Sequence, residues 1–92
     1  YNLWVLFGMT KAEYLATLKY TLDQRLAGNR APFLFGAHTD TYASKYTAAP
    51  NATVTERQEA MEEFMLYALA QSDVRVVPFA DVLDWMQSPS PL

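Results

Sequence analysis

The chain has no cysteine in its 92 residues, so no disulfide supplies stability. It has one histidine, His38, so no metal centre can rest on a histidine pair. Lys and Arg total 7 against 10 Asp and Glu, giving a net charge of −3. They form no basic cluster, which argues against nucleic acid, whose phosphates demand a basic face. No apolar run approaches the roughly 20 residues of a membrane span. There is no signal peptide, although a mature or truncated chain would have lost one. The missing cysteine suits the cytoplasm and an exported bacterial protein equally. A secreted or periplasmic location is expected if the full-length protein is bacterial and exported.

What is present is apolar and aromatic. Hydrophobic residues make up 51% of the chain and aromatics 14%, which excludes disorder. A single small domain is expected, burying roughly 60–65% of its surface. The chain opens at Tyr1 without an initiator methionine, straight into Leu3-Trp4-Val5-Leu6-Phe7. That opening reads as the middle of a fold and as a short buried strand.

Thr10-Lys11-Ala12-Glu13 forms a capping box, and Leu15, Leu18, Leu22 and Leu26 then recur at helical spacing beside Tyr14. Gly28 suits the left-handed position that ends such a helix. Pro32 to His38 reads as a second strand, with proline at its first position. Thr39 to Thr53 has no periodicity and reads as a long polar loop of the kind that carries function. A second capping box is expected at Thr55-Glu56-Arg57-Gln58. Met61, Phe64, Met65, Ala68 and Leu69 give the apolar stripe of the helix after it. Asp73 to Val77 reads as a third strand and Phe79 to Gln87 as a last helix, with Val82, Leu83 and Met86 inward. Residues 89–92 read as a tail.

The order β-α-β-loop-α-β-α predicts an α/β fold with three parallel strands near residues 3–7, 33–38 and 74–77, and three helices on one face. So few strands leave open edges, through which the chain could form a homo-oligomer. The sharper expectation is the C-terminal segment of a distorted (β/α) barrel.

His38 closes the second strand and precedes a polar loop, which is where α/β enzymes keep their chemistry. Imidazole serves as general acid or base near neutral pH. Asp40 is a second donor beside it, but two donors make no metal site. Tyr42 and Tyr46 follow in the loop, where aromatic faces can stack on sugar rings. Asn51-Ala52-Thr53 fits the short N-glycosylation pattern. Glu56, Glu59, Glu62 and Glu63 crowd the start of the second helix and complement its dipole. Arg30, ahead of the strand, reads as a structural ion-pair residue.

The run Gly28-Asn29-Arg30-Ala31-Pro32-Phe33-Leu34-Phe35-Gly36-Ala37-His38-Thr39-Asp40 resembles the last motif region of the polysaccharide deacetylases, the NodB-homology group of carbohydrate esterase family 4. Glu59 to Phe64, Val74 to Val77 and Asp84 to Met86 are similar to the helix–strand–helix that ends the same domain. The resemblance implies that residues 1–88 are the C-terminal part of a TIM-barrel-like catalytic domain. It implies a hydrolase of carbohydrate metabolism, a metal-dependent N-deacetylase acting on polysaccharide or chito-oligosaccharide.

In that family an aspartate and two histidines hold a divalent metal, usually zinc. A separate aspartate is the base and a late histidine the acid. His38 matches the late histidine. Trp4 matches loosely an aromatic residue that some members place against the acetyl group. Trp4, Tyr42 and Asp40 are thus the expected substrate contacts. This sequence has no TFDD-like run and no His-x-x-x-His pair. The metal and base are therefore expected in a missing N-terminal part of the same domain, none held by this chain alone, which is expected to be inactive in isolation. The family usually has a bulky aliphatic residue two positions before this histidine, where this chain has Gly36. The alternative expectation is a non-catalytic α/β interaction module that uses an exposed sheet edge.

Overall fold

Thr10 starts the first helix. Its hydroxyl accepts from the Glu13 amide at 3.2 Å, and the Glu13 carboxylate accepts from the Thr10 amide at 3.0 Å. In the computed structural model, which describes residues 3–90, this box opens α1 (Lys11–Ala27). A short 3-10 turn follows at Thr39–Tyr42, then α2 (Val54–Leu69) and α3 (Phe79–Gln87).

The box that opens α2 lies two residues before the expected one. Thr53, not Thr55, is the cap, and Glu56 reaches back to it at 2.9 Å. The α1 terminus differs in the same way. Gly28 has φ −99°, and Arg30 takes the left-handed conformation at φ 61°. The Arg30 amide donates to the Arg25 carbonyl there, closing the end of α1.

α1 and α2 pack on each other and hold the core. Tyr14, Leu15, Leu18 and Leu22 are the buried face of α1. On α2 the buried face is Arg57, Ala60, Phe64 and Ala68. Two alanines there allow close approach of the helices. Met61 and Met65 are only half-buried and Leu69 is exposed.

The expected α/β fold does not form. Among the described residues there is no strand, so neither the parallel sheet nor the TIM-barrel-like segment stands. Residues 3–7 form a turn. The Met9 amide closes it on the Leu3 carbonyl at 3.1 Å, and Gly8 takes φ 56°. Residues 30–38 and 74–78 have no regular structure.

The physical reason is that a buried strand needs a paired ladder on its sides. Here the phenyl rings of the second segment are satisfied by a helix instead. Phe33 and Phe35 pack on Phe64 of α2 at centroid distances of 5.9 and 6.3 Å. The sheet edge of the interaction-module reading falls with the sheet. α3 packs on neither α1 nor α2, and its Leu83 and Met86 are exposed, contrary to the expected inward face. That standing-off helix accounts for a radius of gyration of 14.6 Å, where a compact chain of this length gives about 12 Å.

Both caps carry a pH prediction. The Glu13 carboxyl is held below its ordinary value of 4.5 by the Thr10 amide and hydroxyl, and Glu56 likewise by Thr53. Asp73 is held below 3.8 by its hydrogen bond from Arg30. A depressed folded-state value contributes stability above the unfolded value and loses it as pH falls through the folded one. The melting temperature is therefore expected to hold from neutrality down to about pH 5, then fall steadily in acid. Circular dichroism at 222 nm across that range checks this. Glu13→Gln with Glu56→Gln should flatten the acid limb, and an unchanged limb would count against the caps.

Candidate functional site

The loop from residue 38 to residue 53 is held from three sides. His38 caps the 3-10 turn, with its carbonyl accepting from the Thr41 amide at 3.2 Å. The Ala43 amide closes the turn on the Asp40 carbonyl at 2.9 Å. From the α1 side, the Tyr42 hydroxyl accepts from Trp4 Nε1 at 3.1 Å and meets the Tyr14 hydroxyl at 3.0 Å.

From α2, Arg57 sends its guanidinium into the loop. Nε donates to the Thr41 carbonyl at 2.7 Å, Nη1 to the Ala52 carbonyl at 2.6 Å and Nη2 to the Tyr46 carbonyl at 2.8 Å. The next residue, Gln58, donates to the Tyr42 carbonyl at 2.8 Å. At the far end, Asn51 Nδ2 donates to the Gly8 carbonyl, tying the loop to the opening turn. The glycosylation-pattern asparagine is thus engaged within the fold, and Thr53 is the α2 cap.

His38 itself is exposed, and among the described residues its ring makes no hydrogen bond or ion pair. Asp40 is exposed on the same turn. The structure therefore brings His38, Asp40 and Tyr42 onto one short turn. Trp4 reaches this group from beneath rather than lining it. It is 2% exposed, and its ring stacks on Tyr14 at 4.0 Å with planes 14° apart. Buried and stacked in this way, Trp4 presents no open ring face to a sugar in this arrangement. Tyr42 is half-buried and spends its hydroxyl on Trp4 and Tyr14.

Burial and hydrogen bonding from Tyr42 push the Tyr14 hydroxyl well above the usual tyrosine range. Tyr14 thus stays neutral as a fixed element of the network. Tyr46 lies with its ring 5.7 Å from the Arg57 guanidinium, which adds a cation–π contact. Arg30 forms its ion pair with Asp73, as a structural role requires.

Among the described residues, no three His, Asp or Glu side chains converge. His38 and Asp40 stand without a third donor.

Sequence reasoning missed Arg57 as a site residue. The signal was there: Arg57, Ala60, Phe64 and Ala68 share one helical face, and a single cation on an otherwise apolar face must find buried acceptors. A loop of carbonyls supplies them. A cavity of about 560 Å³ lies between that loop and the first turn of α2, bounded by Tyr46, Asn51, Thr53 and Glu56.

The chain matches no protein-family model, no curated protein and no solved structure.

Proposed function

We propose that this chain is one section of a metal-dependent carbohydrate N-deacetylase, a section that contributes His38 as the general acid and is inactive alone. The observation that supports this is the condition of His38. It is an exposed, unengaged imidazole on a turn whose carbonyls at His38, Asp40, Thr41 and Tyr42 are all hydrogen-bonded. Breaking an amide C–N bond requires a proton on the departing nitrogen, and an imidazolium positioned in advance supplies it. Asp40 and the polar loop beside it offer hydrogen bonds to a sugar. The zinc and the base belong to residues outside this chain.

The first test uses the chain as it stands. Calorimetric titration with zinc is expected to show no stoichiometric site at submicromolar affinity, and chitin oligomers are expected to release no acetate. A tight single site would overturn the division of labour proposed here. Joined to a segment carrying an aspartate–histidine metal site, the chain is expected to support deacetylation.

A second reading rests on a different observation. An apolar trough of about 580 Å³ runs between the α1–α2 pair and α3, lined by Leu22, Leu26, Phe33, Val76, Phe79 and Trp85. In this reading the chain is a non-catalytic module that self-associates through the trough, which would take the place of a sheet edge. A chain that sediments as a dimer at micromolar concentration and never supports deacetylation favours this second reading.

A further inference from the structure

We infer that Arg57 is the positioning residue of the His38 turn. The inference rests on the reading of His38 as a proton donor, but its geometry is independent of that reading. Arg57 is 1% exposed and has no carboxylate partner among the described residues. A buried guanidinium with no counter-ion is costly unless neutral acceptors surround it. Three carbonyls do so here, and they come from three separated points of one loop, at Thr41, Tyr46 and Ala52.

The contact with Thr41 matters most. The Thr41 amide holds the His38 carbonyl, and the Thr41 carbonyl is held by Arg57 Nε. Two hydrogen bonds therefore separate the guanidinium from the backbone of His38. Gln58 takes the next carbonyl, at Tyr42. A positive charge at the carbonyl end of the turn also complements its dipole. Every one of these acceptors is a backbone atom, so Arg57 fixes where the chain runs, whatever side chains the loop carries. Lysine has one donor centre in place of a planar fork and can reach only part of this set.

The test needs no activity. His38 is the sole histidine, so histidine-selective labelling identifies its backbone amide unambiguously. In the unaltered chain, amide order parameters across residues 38–46 are expected near the rigid value of about 0.85. Arg57→Met is expected to keep the helical circular dichroism and drop those order parameters below about 0.6. The His38 amide signal should move toward its random-coil position, since it is the backbone of His38 that the turn holds. Arg57→Lys should recover part of the loss.

Leu18→Ala is the control, because Leu18 is equally buried but lies on α1 and donates no hydrogen bond to the loop. It should lower stability while leaving residues 38–46 rigid. A rigid turn in Arg57→Met, or equal loosening in Leu18→Ala, overturns the inference. Should Arg57→Met not fold, Arg57→Lys against Leu18→Ala decides the question on the same signals. A turn that loosens on Arg57 substitution, together with a joined enzyme indifferent to His38, would sink the deacetylase reading and leave the positioning role intact.

Discussion

Trp4→Ala is expected to remove a large share of the chain's stability. Trp4 is almost fully buried, stacks on Tyr14 and donates to Tyr42. Removing a buried tryptophan side chain costs about 3–5 kcal/mol. A domain of this size holds roughly 5–14 kcal/mol in total. Each kcal/mol lost moves the melting point of a small domain by about 4–8 °C, so a fall on the order of 12–40 °C should follow.

The loss has two parts, which Trp4→Phe separates. Phenylalanine keeps a ring against Tyr14 but gives up the donor to Tyr42, about 1 kcal/mol, and part of the buried indole volume, so it should fall between the original and Trp4→Ala. Thermal melts at 222 nm measure both. A Trp4→Ala chain that melts within a few degrees of the original would mean that the ring is not part of the core. It would also reopen Trp4 as a surface for substrate. Trp85 is 38% exposed and gives a second fluorescence signal against which the loss of the buried one can be read.

The other large effect is chemical. In an active deacetylase that includes this chain, His38→Ala should cut the rate by about 10²–10⁴-fold, the ordinary cost of losing a general acid. Metal content should not change, because His38 is assigned to proton transfer. Stability should hardly change either, since the ring is exposed and its structural part is a backbone carbonyl that alanine retains. Rate, metal content and melting point together make the assignment testable. Loss of the metal would mean that His38 coordinates it. An unchanged rate would mean that the imidazole is a bystander.

The helices were legible in the sequence and the sheet was not. Thr10 with Glu13 holds as read, and of the face Tyr14, Leu15, Leu18, Leu22 and Leu26 all but Leu26, which is half-buried, lie in the core; these are local signals. The α3 bounds hold as well. The second cap was misplaced because Thr53 and Thr55 both stand three residues before a Glu or Gln. Only Thr53 has the extended backbone that lets its hydroxyl face the helix. The strands failed for a different reason. Leu3–Phe7 and Pro32–His38 are apolar runs, and such runs do not say what covers them. Ring packing on Phe64 and a turn closed at Gly8 were available without any ladder. His38 and Asp40 could be singled out because a lone titratable side chain after an apolar run is visible in one dimension. Arg57 was legible only as a cation on an apolar helical face; its partners were not, because its three acceptors are backbone carbonyls, which every residue has.

The run Val74–Val77 bears on solubility. Val76 is 56% exposed and Val77 44%, in a β-branched segment without regular structure, beside an exposed Leu34. Such a segment is a template on which a second molecule can add a strand. The chain carries gatekeepers against this. Pro78 closes one end and removes a donor. Arg75 sits inside the run and turns its guanidinium back onto the Ser72 and Val74 carbonyls at 3.0 and 2.9 Å. An incoming strand would need that Val74 acceptor. The arginine thus covers part of an adhesive edge with the chain's own charge, and a fibril would have to displace it first.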